Sequence, residues 1–349
     1  MARVTFLKRL ITRWTVWEYM PWWVANIPVY SFWLWYALRS RHIFFFSNVN
    51  PAIPLGGAVG ESKSDILRLL PDPIVPKWML VLPGQSPEQV RTQLEKTGIS
   101  FPLIAKPDVG ERGFLVKKLS SPEELFAHLD RWQAPFILQE FLIHPFEASV
   151  LFHRFPGPEG RFSITSVCLK EFMSVRGDGR SNIRALMAAD TRSAFQLKRF
   201  EKEFPEVLEA VPAAGETILL EPIGNHARGT KFLNGNGIID EQMLAAFEPL
   251  CSRIHGVQYA RFDLKYESLE GLRRGEFKTM ELNGVLGEPA HVYDPTHGMW
   301  RAYRDLWRHW RLLFELHRAQ KKQGFHPTPM SEALKIIKEY FAYKKRLGE

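Results

Sequence analysis

The sequence predicts an α+β fold, chiefly because element types alternate between residues 49 and 299. Apolar runs typical of strands occur at 78–82, 101–107, 135–142, 147–153 and 163–169, and helical patterns at 87–98, 121–132 and 240–255. Such mixing indicates layers of sheet and helix instead of a helical bundle. No GxGxxG follows a strand and no GxxxxGK[ST] occurs, so neither a Rossmann fingerprint nor a P-loop is indicated.

Length and composition limit the class of protein further. The 349 residues are enough for about two packed units, and 45% hydrophobic with 24% charged residues excludes a disordered chain. Cys168 and Cys251 are the two cysteines, which excludes a disulfide scaffold and a four-cysteine zinc site. The formal charge of +8 divides into +5 over residues 1–48, +7 over 300–349 and −4 between them. A nucleic-acid binder with one basic face is therefore not expected.

Residues 1–55 are the first of three predicted segments and are rich in aromatic and basic side chains. Residues 19–38 carry no charge over a length that could span a bilayer, but Pro21 and Pro28 interrupt them and aromatic residues occur throughout. We expect a helical element that lies in one leaflet or forms a re-entrant hairpin, with its basic ends on anionic headgroups. The alternative is an arm buried between copies of the chain in a homo-oligomer. No signal peptide is indicated, and the membrane interpretation implies a peripheral or monotopic protein at the cytoplasmic face.

Residues 300–349 are the third segment and are predicted to form basic helices. Over 300–322, aromatic and leucine side chains recur at helical spacing between arginines, which describes a basic amphipathic helix. Its apolar stripe either packs in the core or faces a membrane. A glycine and two prolines then end the pattern, and a last helix is expected at about 331–346.

The middle segment, residues 56–299, contains a lysine followed by a glycine-rich loop. Lys106 ends a predicted strand, and Gly110 and Gly113 lie in the loop after it. Backbone N–H groups of such a loop can surround phosphate oxygens, and a lysine adds positive charge. An ordinary hairpin with a glycine-rich turn would explain the same residues, so the motif alone does not establish a phosphate site.

Two later strands carry residues suited to a metal ion. Because side chains alternate along a strand, Arg261 and Asp263 share one face of the first strand, and Glu281 and Asn283 share one face of the second. If the strands are neighbours, two carboxylates and an amide oxygen lie together, which suits Mg²⁺ shared with nucleotide phosphates. Arg261 could stabilise charge on a transferring phosphoryl group. The alternative is a solvated hairpin with polar residues facing outward.

Taken in order and spacing, these motifs resemble the ATP-grasp superfamily, most closely ligases similar to D-alanine–D-alanine ligase. The resemblance covers about residues 57–292 and implies an ATP-grasp fold, in which two α+β lobes grip ATP. It implies the following roles: phosphate binding by Lys63 and Lys106, an adenine hinge at Gln139, Glu140 and Leu142, ribose binding by Glu147, contact with the γ-phosphate by Lys231, and a catalytic strand pair with Arg261, Asp263, Glu281 and Asn283. The implied cofactors are ATP and two Mg²⁺ ions, for which Mn²⁺ can substitute.

The chain departs from this family where acceptor substrates bind. About 55 residues of aromatic-rich, proline-interrupted sequence stand in place of the usual N-terminal α/β domain, and residues 284–289 replace the usual proline-glycine after the catalytic asparagine. D-alanine ligation is therefore not expected. His291 either faces the substrate or is a hydrogen-bonded wall residue.

The expected enzyme is a membrane-associated, ADP-forming ligase that joins a small-molecule carboxylate to an amine through an acyl phosphate. One substrate is expected to be a lipid or lipophilic molecule, because the aromatic segment replaces a soluble domain. The glycine-rich loop would serve as a lid that excludes water. The alternatives are an ATP-grasp kinase that phosphorylates a hydroxyl and an inactive nucleotide-binding scaffold. No nucleic-acid partner is expected.

Overall fold

The computed structural model describes residues 11–12, 14, 16–110, 115–129, 132, 134–157 and 160–347, without the side chains of Glu18 and Trp22. Its helices are α1 Trp22–Ala25, α2 Ile27–Ser40, α3 Lys63–Leu69, α4 Pro87–Thr97, α5 Pro122–Leu129, α6 Ile183–Ala189, α7 Thr191–Glu203, α8 Glu241–Ser252, α9 Leu269–Arg273, α10 Met299–Lys322 and α11 Met330–Arg346. Its strands are β1 Trp78–Val81, β2 Leu103–Pro107, β3 Lys117–Leu119, β4 Phe136–Glu140, β5 Phe146–Arg154, β6 Phe162–Glu171, β7 Met173–Arg176, β8 Thr217–Glu221, β9 Lys231–Asn234, β10 Tyr259–Tyr266 and β11 Lys278–Asn283. Short 3₁₀ helices also occur, including Ala290–Tyr293. The predicted α+β class is confirmed.

The chain divides into two compact units. The larger unit comprises Trp33–Val167, Asn236–Pro289 and Arg308–Glu349, and the smaller unit comprises Met1–Phe32, Cys168–Gly235 and Ala290–Trp307. The expected division into three segments at residues 55 and 299 stays a prediction.

An antiparallel sheet in the order β1-β4-β2-β3 forms one layer of the larger unit. Helices α4 and α5 contribute Val90, Leu94 and Leu125 to its core. Helix α4 begins at this point because Ser86 and Gln89 form a reciprocal capping box, and Pro87 occupies its first turn. The strand that carries Lys106 is thus fixed between two hydrogen-bonded neighbours, β4 and β3.

A second antiparallel arrangement in the larger unit joins β11, β10 and β5. From Ala260 onward strand β10 alternates, with Phe262 and Leu264 buried on one side and the half-buried Arg261 and Asp263 on the other. The apolar face packs into the core, where Phe262 stacks on Phe152 of β5. The polar face is therefore held in place by a rigid, fully paired strand.

The smaller unit has its own core between short helices and a two-stranded ladder. Strand β7 pairs with β8, and the last residues of β6 pair with β9. Helices α6 and α7 pack on the β7–β8 ladder through Met187, Leu197 and Phe200. Asn182 and Asp190 cap these helices by accepting hydrogen bonds from backbone N–H groups of their first turns.

Helix α10 contains part of the stripe expected from the sequence, and that part is buried. Trp310, Leu313 and Phe314 lie in the core of the larger unit, where the ring of Phe314 stacks on Tyr36 at 5.0 Å between centroids. These side chains are core residues and do not face a membrane. Among the helices of the described residues, none combines the length and the apolar character needed to cross a bilayer.

Candidate active site

The polar faces of β10 and β11 meet in register. Arg261 lies opposite Asn283, and Asp263 lies opposite Glu281, with a bulge directly after Asp263. Directly paired residues of antiparallel strands have Cβ atoms about 5 Å apart on the same face. Two carboxylates, an amide and a guanidinium therefore share one small surface, as the two-residue alternation predicts.

Asp263 is the centre of the hydrogen bonds on this surface. Its Oδ2 accepts hydrogen bonds from Arg261 Nη2 at 3.1 Å and from Asn283 Nδ2 at 3.0 Å. Its Oδ1 accepts a short hydrogen bond from Ser149 Oγ, from the residue opposite it on β5. Three donors from three strands fix the carboxylate orientation, which is the condition for a preorganised ligand.

Arg261 is held as a cation beneath this surface. Its Nη1 donates to the carbonyl oxygen of Glu288 at 3.0 Å. Burial opposes the charge, but the carboxylates of Asp263 and Glu281 outweigh it and raise the pKa of the guanidinium. Its Nε is buried and makes no hydrogen bond to the described residues. The described residues thus leave this buried N–H group without an acceptor.

Two lysines lie beside Glu281. Lys63 is the first residue of α3, and its Nζ lies 3.8 Å from Glu281 Oε1 and donates to the carbonyl oxygen of Gly110. Lys106 is buried at the end of β2, and its Nζ donates to the carbonyl oxygen of Met280 at 3.0 Å. Burial lowers the pKa of Lys106 to about 8, with the charge of Glu281 acting in the opposite sense. The two cations therefore converge on the strand that carries Glu281.

Asp108 holds the segment of Lys63 against the end of β2. Its Oδ1 accepts from the backbone N–H of Ser64 at 2.8 Å, and its Oδ2 accepts from Ser62 Oγ at 2.9 Å. The backbone N–H of Lys63 also donates to the carbonyl oxygen of Asp108 at 2.8 Å. This triple attachment brings together two lysines that lie far apart in the sequence.

The residues expected at an adenine hinge lie at and after the end of β4. Gln139 is buried, and its Oε1 makes no hydrogen bond to the described residues. Glu140 is engaged locally, because its Oε1 accepts from the backbone N–H of Lys77 at 2.8 Å. Leu142 is buried, whereas Ile143 beside it is exposed. A buried amide oxygen without a protein donor is a feature that a bound heterocycle with an N–H donor could satisfy.

Glu147, the expected ribose ligand, is buried on β5 opposite Lys265 of β10. The Nζ of Lys265 lies 3.6 Å from Glu147 Oε1. The carboxylate is thus neutralised by the adjacent strand in the described structure.

The predicted roles of three other residues, Lys231, His291 and Gly113, stay predictions. Lys231 and His291 lie in the smaller unit, where Lys231 Nζ is 3.1 Å from Glu171 Oε1 and His291 Nε2 is 3.4 Å from Asp305 Oδ2. Gly113 lies outside the described residues, so its part in a lid stays a prediction.

Comparison with known proteins gives no match to a family model and none to a curated protein. Among solved structures, the chain is similar to the VanG D-Ala:D-Ser ligase from Enterococcus faecalis, with 13% identity and a TM-score of 0.41 over 72% of this chain and 61% of that chain. It is also similar to a D-alanine–D-alanine ligase from Bacillus anthracis, with 14% identity and a TM-score of 0.41 over 75% and 68% of the two chains. The chain resembles D-alanine–D-alanine ligases. A bifunctional glutathione synthetase from Pasteurella multocida is similar over 70% of this chain and 36% of that chain, with 14% identity and a TM-score of 0.38.

The likeness is partial, because the chain spans 61% of the length of the VanG ligase, and it assigns no role to any residue. Two further residues of the site, Ser149 and Asp108, were not predicted from the sequence. Ser149 lies two residues after Glu147, so the alternation of a strand would have placed the two side chains on one face. Asp108 follows Lys106 at the end of its strand, but its attachment to Ser62 has no local sequence signal.

Proposed function

We propose that the protein is an ATP-dependent ligase that joins a carboxylate to an amine. The observation that carries this proposal is the convergence of Lys63 and Lys106 on Glu281, beside the paired Asp263 and Asn283. Two cations beside three oxygen donors suit the phosphates of a nucleotide and the metal ion that accompanies them. A solvated hairpin explains neither the buried lysine nor the converging chain segments.

The donor set fits Mg²⁺. Asp263, Glu281 and Asn283 supply hard oxygen ligands, and the Glu281 side chain is 38% exposed, so its carboxylate is accessible. Bound Mg²⁺ would neutralise phosphate charge and orient the nucleotide. Lys63 and Lys106 would hold the phosphates, and the buried Oε1 of Gln139 would accept a hydrogen bond from the base.

The proposed reaction transfers a phosphoryl group and then an acyl group. A substrate carboxylate oxygen bonds to the γ-phosphorus as the bond to the β–γ bridging oxygen breaks, which releases ADP. An amine nitrogen then bonds to the acyl carbon as the bond to the phosphate oxygen breaks, and the amine proton is lost as phosphate leaves. The Arg261 guanidinium would stabilise the oxyanion of the tetrahedral state.

A membrane location and a lipid substrate are the finer part of the proposal. Helix α2 exposes Ile27, Leu34 and Leu38, which recur at helical spacing, and Arg39 and Arg41 follow at its end. An exposed apolar stripe beside arginines suits an anionic lipid surface, because burial of the stripe and attraction to headgroups act together. The predicted orientation is at the cytoplasmic face.

The deciding experiment is a coupled assay that measures ADP and free phosphate with Mg²⁺-ATP, pooled amino acids and a lipid extract. The proposal expects equal release of ADP and phosphate, which Glu281→Gln reduces at least about 100-fold because a metal ligand is lost. Glu267→Gln, an exposed carboxylate just after β10, is the matched control and should leave turnover unchanged. ADP without phosphate would indicate a kinase, and nucleotide binding without turnover would indicate a scaffold.

The membrane proposal has a separate test, sedimentation with vesicles of anionic or zwitterionic lipid. We expect binding to the anionic vesicles, with a loss of at least about tenfold in affinity for Leu34→Ser/Leu38→Ser. The control is Leu219→Ser, an exposed leucine on β8. Lipid-independent turnover together with no vesicle binding would reject the membrane and lipid proposal and leave the ligase proposal standing.

A further inference from the structure

The smaller unit contains two histidines and one aspartate that converge within fifteen residues of sequence. His291 lies in the 3₁₀ helix Ala290–Tyr293, His297 lies in the turn before α10, and Asp305 lies in the second turn of α10. Both imidazoles are buried, and the Asp305 side chain is 13% exposed. Three ligand-type side chains from three local elements thus meet away from solvent.

The three side chains approach one another through one nitrogen or oxygen atom each. His291 Nε2 and His297 Nε2 lie 3.4 Å and 2.9 Å from the same oxygen, Asp305 Oδ2. One ligand atom from each residue lies within 4.8 Å of the other two, and the imidazole planes cross at 88°. Two ligands about 2.0–2.1 Å from a tetrahedral ion are roughly 3.3 Å apart, compared with 3.4 Å between His291 and Asp305 and 2.9 Å between His297 and Asp305.

The ligand chemistry of the cluster suits a divalent cation. Two imidazole nitrogens and a carboxylate oxygen are ligand types that zinc and similar divalent ions prefer.

The loop that carries the histidines is fixed independently of them. Asp294 Oδ2 accepts from the backbone N–H of Asn234 at 2.7 Å, and Asp294 Oδ1 accepts from the backbone N–H and the hydroxyl of Thr296. His291 and His297 are therefore presented by a preformed turn, which reduces the entropic cost of gathering ligands around an ion.

We propose that His291, His297 and Asp305 bind a zinc-type divalent ion that ties Ala290–Tyr293 to α10. Three protein ligands leave one position of a tetrahedral ion for water or another small ligand. This site is distinct in residues and in ligand chemistry from the proposed Mg²⁺ site on β10 and β11. Hydrogen bonding alone would also bring the three groups together, and the experiment separates the two accounts.

The test measures metal content and metal affinity of the full chain, not activity. After chelation and dialysis, the protein is loaded with Zn²⁺, desalted and analysed by mass spectrometry for metal, and Co²⁺ is titrated while visible absorbance is recorded. We expect about one zinc per chain and the intense visible bands of tetrahedral Co²⁺. The affinity should fall at least about 100-fold in His297→Ala, and His255→Ala, an exposed histidine, should bind as wild type does.

Asp305→Asn keeps the size of the side chain and an acceptor oxygen. This variant therefore separates the loss of a metal ligand from a loss of metal binding caused by unfolding. We expect it to keep the circular dichroism spectrum of the wild type and to lose the Co²⁺ bands. Less than about a tenth of an equivalent of zinc in the wild type, with no Co²⁺ bands, would overturn the metal site. Equal binding by wild type and both cluster variants would also overturn it.

Discussion

Gly57 and Gly284 approach so closely that a Cβ atom on Gly57 would lie 2.8 Å from the Cα atom of Gly284. In the other direction, a Cβ atom on Gly284 would lie 2.4 Å from the carbonyl oxygen of Gly56. The backbone N–H of Val285 donates to that same carbonyl oxygen at 3.1 Å. Because Gly284 directly follows Asn283, this backbone contact fixes where the metal-type ligands of β11 end.

We expect Gly284→Ala to disturb the site more than its small volume suggests. The added methyl group meets backbone atoms, which cannot rotate away as a side chain could, so the turn after Asn283 must shift. We expect a loss of about 1–3 kcal/mol in the free energy of unfolding and a fall in ATP affinity, measured by chemical denaturation and by isothermal titration calorimetry. Gly237→Ala is the matched control, because a Cβ atom there meets nothing within 4 Å. Equal ATP affinity in the two variants would contradict the positional role of the glycine contact.

The lowered pKa of Lys106 predicts that nucleotide binding weakens at alkaline pH. Burial lowers its pKa to about 8, so the cationic form is lost as the pH rises through that value. If the ammonium binds phosphate, the affinity for ATP should fall about tenfold between pH 7 and pH 9. Lys106→Arg should bind more weakly at pH 7 but flatten this dependence, because a guanidinium stays charged.

The control for this titration is Lys117→Arg, an exposed lysine on β3, which should keep the wild-type pH profile. ATP dissociation constants at each pH, obtained by calorimetry in buffers of constant ionic strength, provide the measurement. A profile that is flat in the wild type would remove Lys106 from the phosphate site.

What the sequence could predict of the site follows from local periodicity. Arg261 and Asp263 share a face because strands alternate every two residues, and the same rule links Glu281 with Asn283. The apolar residues on either side of these pairs indicated the strands β10 and β11. The antiparallel register then places the two pairs opposite each other. The local sequence pattern was therefore enough to predict the strand pair and its polar residues.

The rest of the site depends on contacts that no local pattern encodes. Lys63 reaches Glu281 because Asp108 holds the start of α3, and the Gly57–Gly284 contact joins segments that lie far apart in the chain. Asp305 pairs with His291 because α10 begins at Met299 and turns the aspartate back toward the loop. The helical stripe around Trp310 had the composition of a membrane face, but tertiary packing buries it.

The ion pairs of Glu221 predict that its negative charge contributes strongly to the stability of the smaller unit. Its buried carboxylate lies 3.0 Å from both Arg199 Nη2 and Arg228 Nε. Glu221→Gln leaves two guanidinium groups without their shared anion, so we expect a loss of about 3 kcal/mol in stability. Glu203→Gln is the control, because Glu203 is a more exposed partner of Arg199 at 3.4 Å, and should change stability by less than about 0.5 kcal/mol. Thermal unfolding followed by circular dichroism measures both, and equal melting temperatures would contradict the prediction.

Buried histidines predict that the larger unit loses stability in mild acid. Burial lowers the pKa of His309 to about 3 and those of His153 and His317 to about 4. His309 contacts the hydroxyl of Tyr259 and lies near the charge of Arg261, and the Nδ1 of His317 lies 2.8 Å from Asn48 Oδ1. These side chains stay neutral in the folded protein at a pH where the unfolded chain is protonated.

Proton uptake by the unfolded chain determines the direction of the pH effect on stability. Each histidine contributes stability that is fully present above the unfolded-state pKa of about 6.5 and is lost as the pH falls toward the folded-state value. The free energy of unfolding should therefore decline by about 1.4 kcal/mol per pH unit for each histidine between those limits. His317→Gln should be less stable than wild type at pH 7.5 but should show a shallower decline toward pH 4.5, because one titrating group is gone. The urea midpoint followed by near-ultraviolet circular dichroism gives both slopes, with exposed His255→Gln as the control. Parallel curves for wild type and His317→Gln would mean that His317 binds protons equally in the folded and unfolded states, and burial would then not control its charge.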